Sequence, residues 1–341
     1  LRLPTAWDKS TGTGVVVAVI DTGYRPHADL SGQFLAGYDF ISSATIGNDG
    51  NGRDSDASDP GDWVAAGECY AGSPASGSSW HGTHVAGTVA AKTNNSLGVA
   101  GVAYNAKLVP VRVLGKCGGY TSDIADAITW SSGGTVTGVP ANANKAKVLN
   151  LSLGGSGACD ATTQTAINGA RSRGSVVVVA AGNDNMNVSN ASPANCSGVI
   201  AVAATGKTGG RASYSNYGTL VDVAAPGGDG SYSVISTLNS GSSTPGSDNY
   251  AGYQGTSMAT PHVAGVAALM FAAKSTLTPD QVESMLKSTA RAFPATCSGC
   301  GTGIVDATAA VNAAIGGTTP PSGTVINETE SNNTLGTANL V

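Results

Sequence analysis

Residues 15–23 read Val-Val-Val-Ala-Val-Ile-Asp-Thr-Gly, an unbroken apolar run that ends abruptly on a carboxylate and a glycine. An apolar run without polar alternation is typical of a strand that is covered on both faces, as in a parallel sheet. Comparable runs follow at residues 108–114, 148–153, 176–180, 199–203 and 220–224. Segments with helical spacing lie between them, at residues 83–92, 122–130, 161–173, 261–274 and 279–288. This alternation predicts an α/β fold, a doubly wound and mostly parallel sheet with helices on both faces.

The chain divides by composition near its C-terminus. Residues 316–323 read Gly-Gly-Thr-Thr-Pro-Pro-Ser-Gly, which is typical of a linker. We therefore expect one domain over residues 1–315, and we interpret residues 324–341 as a tail or as the stump of a C-terminal domain. At the other end, Leu1-Arg2-Leu3-Pro4 lacks the apolar centre of a signal peptide, so we expect any secreted form to be a processed one.

Composition excludes two classes of partner. Charged residues are 11% of the 341 residues, and 17 basic against 22 acidic side chains give a net charge of −5. A negative chain without a basic cluster lacks the electrostatic footprint of a protein that binds nucleic acid or an anionic membrane. The longest apolar stretch, residues 263–273, has about 11 residues, too few to span a bilayer. We expect a soluble globular monomer that binds neither nucleic acid nor membrane.

Three motifs carry reactive side chains. Asp21 directly follows the first predicted strand, at the edge of an α/β sheet where active sites form. His81 opens the motif His-Gly-Thr-His-Val-Ala-Gly-Thr, and Ser257 lies in Gly-Thr-Ser-Met-Ala-Thr-Pro-His at the start of a helix. Taken singly, Asp21 and Ser257 are equally compatible with caps of a turn and of a helix. His84 does not complete a zinc-peptidase motif, which needs His-Glu-x-x-His, and we expect it to be buried against the sheet.

Together the three residues form a Ser/His/Asp set, in which serine attacks, histidine takes its proton and aspartate orients the imidazole. Their order along the chain discriminates between folds. An α/β-hydrolase needs a histidine after its serine, and His262, the histidine that follows Ser257, lies too close to serve. The sequence around Ser257 is also Gly-x-Ser-x-Ala instead of Gly-x-Ser-x-Gly. An α/β-hydrolase is thereby excluded, and the set reads in the order Asp21, His81, Ser257 along the chain.

That order and these motifs resemble the subtilisin-like serine proteases, the subtilases, over residues 3–315. The resemblance is strongest to secreted bacterial members with disulfides and a C-terminal extension. It implies a secreted serine endopeptidase that forms an acyl-enzyme on Ser257 and is made with a propeptide that inhibits it and aids folding. Asn183, in Ala-Ala-Gly-Asn, matches the family's oxyanion-hole asparagine. Without the resemblance, Gly182-Asn183 is only a turn signal.

The resemblance also implies where protein or peptide substrates bind. Ser152, Leu153 and Gly154 match the strand edge to which a substrate adds through main-chain hydrogen bonds. Ala180, Ala181 and Gly182 match the opposite wall of the pocket for the P1 side chain. Because these residues are small, we expect broad specificity with a preference for large apolar P1 residues.

Structural calcium, Ca²⁺, is the implied cofactor. The resemblance assigns to one site the side chains of Asp29 and Asn95 and the main-chain carbonyls of Thr93, Leu97 and Val99, an oxygen set that suits Ca²⁺. The acidic loop over residues 49–62 is either a second site or a solvated loop, and it is not an EF-hand because Arg53 and Pro60 occupy ligand positions. Its candidate ligands are Asp49, Asp54, Asp59 and Asp62. Asp222 resembles the carboxylate of a further family site.

Six cysteines in a chain rich in Ser, Thr, Asn and Gly suit an oxidising compartment. A zinc site at Cys297-x-x-Cys300 would need a second close pair, and a thioredoxin-like motif would need a strand before it and a helix after it. Structural disulfides are therefore favoured. Six cysteines allow 15 connectivities. From their positions in loops we predict the pairs Cys69–Cys117, Cys159–Cys196 and Cys297–Cys300.

Two rival functions are weighed against a serine endopeptidase. A catalytically inactive, subtilase-like binding module is disfavoured because the four catalytic positions, Asp21, His81, Asn183 and Ser257, carry the required residues. A zinc peptidase is disfavoured because its His-Glu-x-x-His motif is missing.

Overall fold

The computed structural model describes residues 1–316. The predicted linker and tail therefore lie outside the described residues, apart from Gly316. The helices of the described part are α1 Leu3–Trp7, α2 Ala44–Gly47, α3 His81–Ala90, α4 Thr121–Ser131, α5 Ala161–Ser172, α6 Thr256–Ala273, α7 Pro279–Thr289 and α8 Ala307–Ala314. The strands are β1 Val16–Asp21, β2 Tyr38–Asp39, β3 Lys107–Arg112, β4 Val148–Leu151, β5 Gly155–Ser156, β6 Val176–Ala180, β7 Ala191–Ser192, β8 Ile200–Thr205, β9 Val223–Pro226, β10 Val234–Asn239 and β11 Asp248–Tyr253.

A parallel sheet of seven strands, in the order β2-β3-β1-β4-β6-β8-β9, forms the centre of the fold. Two small antiparallel pairs, β5 with β7 and β10 with β11, lie outside it. Asp21 is in register with Arg112 of β3, and Ile20 with Leu151 of β4. The predicted α/β fold is confirmed, and its register brings Asp21 and the end of β4 to the same edge of the sheet.

The residues of β1 alternate between two apolar layers. Val17 and Val19 pack in the core that contains α3 and α6, whereas Ala18 and Ile20 pack in the core that contains α4 and α5. Helices therefore cover both faces of this strand. That is the physical reason why the sequence of β1 shows no polar alternation.

Helix α6 begins at Thr256, five residues before the predicted apolar segment of residues 261–274 and at the helix start predicted for the Ser257 motif. Pro261 lies inside the helix, where it supplies no backbone N–H. By length and composition this helix is apolar enough to cross a membrane, but 83% of it is buried inside the protein. It is the central core helix of the described domain.

The hairpin of β10 and β11 covers α3 and was not predicted. His84 of α3 is buried, as expected, but it packs on this hairpin and not on the central sheet. Its Nε2 lies 3.1 Å from the carbonyl oxygen of Val234 and 3.0 Å from that of Ala251, and its ring stacks on Tyr253 with centroids 4.6 Å apart. Burial lowers the pKa of His84 to about 4. A buried neutral imidazole with backbone partners has a structural role.

All six cysteines form disulfides, and the pairs in the structure are Cys69–Cys117, Cys159–Cys196 and Cys297–Cys300. They are the predicted pairs. Cys69–Cys117 joins the loop before α3 to the loop before α4, and Cys159–Cys196 joins the start of α5 to the loop before β8. These two bonds therefore tie segments that are distant in sequence, whereas Cys297–Cys300 closes a short turn between α7 and α8.

Candidate active site

Asp21 and His81 meet at the carboxyl edge of the sheet. Asp21 is the last residue of β1 and His81 is the first residue of α3. Nδ1 of His81 lies 2.8 Å from Oδ1 of Asp21, whose side chain is fully buried, whereas 21% of the His81 side chain is exposed. A buried carboxylate thus fixes one ring nitrogen of the imidazole and leaves the other available for chemistry.

The pKa of His81 is raised above its ordinary value of about 6.5. Burial alone would lower the pKa of this imidazole. The charge of Asp21 and its hydrogen bond outweigh burial, with smaller contributions from the charges of Asp62 and Asp59. Asp21 therefore makes His81 a stronger base.

Two glycines allow the strand end and the helix start to come this close. A Cβ on Gly82 would lie 2.1 Å from the carbonyl oxygen of Gly23, and Gly23 itself has a φ of +100°. Trp80, just before α3, has a φ of 49° and donates from its indole to the carbonyl of Gly241 at 2.7 Å. A positive φ is uncommon for residues other than glycine. The buried indole and its hydrogen bond keep Trp80 in this conformation and so fix the start of α3.

Ser257 is the second residue of α6, where its hydroxyl donates to the carbonyl of Ser152 at 3.1 Å. The hydroxyl of Ser152 donates in return to the carbonyl of Ser257 at 2.8 Å. In a regular helix that carbonyl would accept from the N–H four residues later, which here belongs to Pro261 and does not exist. Ser152 supplies the missing donor and so fixes the backbone of Ser257.

Asn183 follows β6 and is exposed beside Ser257. Its Oδ1 accepts from the backbone N–H of Thr256 at 2.8 Å and from the Thr256 hydroxyl at 2.9 Å. Because both donors engage the oxygen, the amide nitrogen of Asn183 is left to face the cleft. The buried Asn216 holds the same loop, since its Oδ1 accepts from Asp184 and Met186 N–H groups and its Nδ2 donates to the Ala181 carbonyl.

A cleft of about 1070 Å³ brings Ser257 and Asn183 together with most of the predicted substrate-binding residues. Ser152, Leu153, Gly154, Ala180 and Gly182 line it. Ala181 is fully buried beneath the cleft and outside its lining, because alternate residues of an extended segment point to opposite sides. Asp160 also lines the cleft, with its carboxylate accepting from Thr162 and Thr163 as the cap of α5.

The calcium candidates lie around one buried carboxylate, that of Asp29. Its oxygens accept from Asn95 Nδ2 at 2.6 Å and from the Val99 N–H at 2.9 Å. Oγ1 of Thr93 is buried and has no hydrogen-bond partner within residues 1–316. Turning the Asn95 amide would present its oxygen in place of its nitrogen, because the two ends are nearly isosteric. These oxygen donors fit a Ca²⁺ ion, with Leu97 contributing its carbonyl.

The carboxylates of the acidic loop do not come together. Each is held by a different donor: Asp49 by Arg112 at 2.6 Å, Asp54 by Asn51 at 2.6 Å, Asp59 by Thr22 at 2.8 Å and Asp62 by Ser79 at 2.6 Å. Asp222 accepts from Lys287 at 2.7 Å. Across the described part of the chain, no three His, Cys, Asp or Glu side chains form a metal-binding group. Within the described residues these carboxylates make separate contacts, and a metal site in the loop or at Asp222 stays a prediction.

Comparison with known proteins agrees with this geometry. The profile of the subtilase family matches residues 12–319. The chain belongs to the subtilase family of serine endopeptidases. It is 67% identical over 319 residues to an extracellular protease of Xanthomonas campestris, covering 93% of this chain and 54% of that protein. It is 50% identical over 321 residues to an extracellular basic protease of Dichelobacter nodosus, covering 91% of this chain and 52% of that protein.

A solved protease structure from Pseudoalteromonas arctica is 69% identical, with a TM-score of 0.91, and the match covers 92% of this chain and 94% of that one. The chain spans about half the length of the two curated subtilases named above. The described residues nevertheless contain the complete set of motifs on which the family resemblance rests.

Two residues that hold the subtilase site were missed from the sequence. Thr256 lies inside the Gly-Thr-Ser motif, and its position beside Ser257 was a usable signal. Asn216 lies in Ser-Asn-Tyr-Gly, which carries no chemistry by itself. Only the folded chain places its amide against the loop of Asn183.

Proposed function

We propose that this chain is the catalytic domain of a secreted serine endopeptidase that cleaves proteins and peptides through an acyl-enzyme on Ser257. The observation that carries the proposal is the 2.8 Å hydrogen bond between His81 and Asp21 at the end of β1. The neighbouring strand β4 is followed by Ser152, whose carbonyl accepts from the Ser257 hydroxyl. A buried carboxylate that orients a partly exposed imidazole near a helix-terminal serine is the constellation needed for nucleophilic catalysis.

In this mechanism the Ser257 hydroxyl leaves the Ser152 carbonyl, turns to His81 and attacks the scissile carbonyl. Nε2 of His81 takes the hydroxyl proton and later gives it to the leaving amine, while Asp21 stabilises the imidazolium. Asn183 Nδ2 and the Ser257 N–H hold the oxyanion, and the α6 N-terminus adds a favourable dipole. Water then hydrolyses the acyl-enzyme with His81 as the base.

Substrates would bind as an added strand along Ser152, Leu153 and Gly154. The P1 side chain would enter the cleft beside Ala180 and Gly182, where small side chains leave space for a large apolar group. The Asp160 carboxylate caps α5 by accepting from the Thr162 and Thr163 N–H groups. Because it is already hydrogen-bonded in this way, we expect an apolar P1 residue to be preferred over a basic one.

Calcium would be structural, held by Asp29 and Asn95 and by the loop of residues 93–99. When bound, the ion would pin this loop to Asp29 and supply no atom to the reaction, because none of these residues belongs to the catalytic set. Subtilases generally bind structural calcium, which supports the assignment.

Secretion is supported by three disulfides, which persist in oxidising compartments, and by relatives named extracellular proteases. In such a context the chain would be made as a zymogen with its own inhibitory propeptide, and would act as a monomer.

A cleavage profile on a mixed peptide library tests the proposal. We expect cuts after large apolar residues by the wild type, and none by Ser257→Ala. Cuts by the Ser257→Ala variant at the wild-type sites would contradict a serine mechanism. Cuts dominated by Lys and Arg at P1 would contradict the assigned specificity and identify Asp160 as its determinant.

A further inference from the structure

Asp59 is a buried carboxylate that the mechanism above does not use. It is 1% exposed, although a buried charge is costly unless it is well hydrogen-bonded. Its two oxygens accept from the Thr22 hydroxyl at 2.8 Å and from the Gly61 N–H at 2.9 Å. The guanidinium of Arg25 donates at 3.2 Å to the main-chain carbonyl of Asp59. Thr22 is thus the residue whose side chain donates to the carboxylate.

Thr22 contacts both halves of the acid–base pair. Its backbone N–H donates at 2.8 Å to Oδ1 of Asp21, the same oxygen that faces the His81 ring. Its hydroxyl accepts at 3.0 Å from the N–H of Gly82, the residue after His81. A hydroxyl that accepts from Gly82 must send its own proton elsewhere, and Asp59 is the acceptor. The direction of the Thr22 hydroxyl is therefore set by Asp59.

The segment that carries Asp59 is itself fixed against the strand end. The N–H of Tyr24 donates to the Ala57 carbonyl at 3.2 Å, and the N–H of Asp59 donates to the Tyr24 carbonyl at 2.9 Å. A Cβ on Gly23 would lie 2.5 Å from the Ala57 carbonyl oxygen. The acidic loop is thus hydrogen-bonded to the turn that follows Asp21 and packs tightly against it.

We propose that Asp59 is a positioning residue for catalysis: through the Thr22 hydroxyl it fixes the start of α3, and with it the His81 ring, relative to Asp21. The proposal rests on the proposed function, since it concerns the residues of the same site. In this role Asp59 orients other groups and does not itself react. Burial raises the pKa of Asp59 to about 7, which shows that burying its charge costs free energy.

Isosteric variants test this relay. In the wild type both Thr22 and Gly61 donate hydrogen bonds to the Asp59 carboxylate. In Asp59→Asn one of these donors would face the amide NH₂ group, which is itself a donor, so one hydrogen bond is lost. Thr22→Val removes the hydroxyl without changing the shape of the side chain. Misplacing a reacting group by a fraction of an ångström is costly, so we expect each variant to lower kcat by about ten- to a hundredfold with KM within about twofold. Because both changes break one relay, the double variant should be no slower than the slower single variant.

Two controls separate positioning from folding. Thr22→Ser keeps the hydroxyl and should retain near wild-type kcat. Asp56→Asn changes a residue of the same loop that is exposed and accepts from the N–H and side chain of Ser58, so its kcat should not change. The concentration of active sites is first measured by titrating Ser257 with a phosphonylating reagent. Misfolded molecules then do not enter the calculation of kcat.

The outcomes are distinct. Loss of kcat in Asp59→Asn and Thr22→Val, with recovery in Thr22→Ser, supports the relay. An unchanged kcat per titrated site in Thr22→Val overturns it, even if Asp59→Asn fails to fold. A wild-type chain that neither cleaves peptides nor takes up the reagent would overturn the proposed function as well, whereas active wild type with unaffected variants overturns the relay alone.

Discussion

Thr256 holds the carbonyl end of the Asn183 side chain with two donors, its backbone N–H at 2.8 Å and its hydroxyl at 2.9 Å. The Thr256 hydroxyl in turn accepts from the Gly182 N–H at 3.1 Å. This clamp decides which end of the amide faces the cleft. An amide nitrogen fixed in advance needs no reorganisation when negative charge develops on the substrate oxygen.

Asn183→Leu should therefore lower kcat by on the order of 10²–10³ with little change in KM. The magnitude is that measured for the corresponding asparagine of subtilisin, a member of the same family. Steady-state kinetics on a short peptide measure it, with Asn185→Leu in the same loop as a control. A rise in KM at unchanged kcat would mean that Asn183 binds substrate in its ground state.

The pH dependence of kcat/KM should follow the neutral form of His81. Activity should rise with pH through a midpoint above the ordinary histidine value, because Asp21 raises the pKa of this imidazole against the effect of burial. Activity should then persist at alkaline pH.

Asp21→Asn removes the charge that opposes burial, so it should shift this midpoint to lower pH and reduce kcat by about 10⁴. Asp126→Asn, which changes a half-buried carboxylate paired with Arg53, serves as a control and should leave the profile unchanged. A midpoint that does not move in Asp21→Asn, or a wild-type optimum near pH 4, would contradict the roles given to Asp21 and His81.

Substitutions of Ser152 and Pro261 should have coupled effects on the free energy of unfolding. Ser152→Ala leaves the partly buried Ser257 carbonyl without its donor and should cost about 1–3 kcal/mol. In a Pro261→Ala background the helix regains an N–H at this position, so the same change should cost clearly less. Denaturant unfolding of the four variants, each also carrying Ser257→Ala to prevent self-digestion, measures this. Equal costs in both backgrounds would mean that Ser152 does not replace the missing N–H.

The sequence predicted the catalytic set because each member lies in a local motif at a strand end or helix start. Asp21 follows from the rule that parallel strands end at a common edge, whereas His81 and Ser257 needed their motifs, their order along the chain and the family resemblance. The contacts of the acidic loop were not predicted, because its carboxylates are close in sequence whereas two of their donors are distant. Thr22 is 37 residues from Asp59, and Arg112 is 63 residues from Asp49. Such pairs are set by tertiary structure.

The remaining differences also have physical causes. α6 extends through Pro261 because a side chain, Ser152, substitutes for a backbone donor, and no local propensity predicts that. The β10–β11 hairpin was missed because half of its residues are polar or glycine and its packing against α3 gives no regular alternation. The ends of the other predicted elements differ by a few residues, as expected for frayed boundaries.

Calcium removal should affect stability and leave turnover intact. A ligand that binds only the native state adds about 2.7 kcal/mol at a hundredfold excess over its Kd. A chelator should therefore lower the melting temperature and speed self-digestion, while the initial rate on a short peptide stays nearly unchanged.

Asp29→Ala is expected to melt at a lower temperature that no longer responds to calcium or chelator, because the proposed site loses its only carboxylate. Asp49→Ala should keep the wild-type response. Immediate and reversible loss of turnover on chelation, without a change in melting temperature, would show that calcium has a catalytic role.

Labelling with a serine-directed phosphonylating reagent tests whether Ser257 is the nucleophile. We expect one phosphonyl group per molecule, located on Ser257 by peptide mass spectrometry, with activity lost in proportion to labelling. We also expect the labelling rate to rise with pH in parallel with kcat/KM, because the same neutral His81 activates the hydroxyl. A fully active protein that remains unlabelled at Ser257 after treatment, or one inactivated by labelling at another residue, would contradict the assignment of Ser257 as the nucleophile.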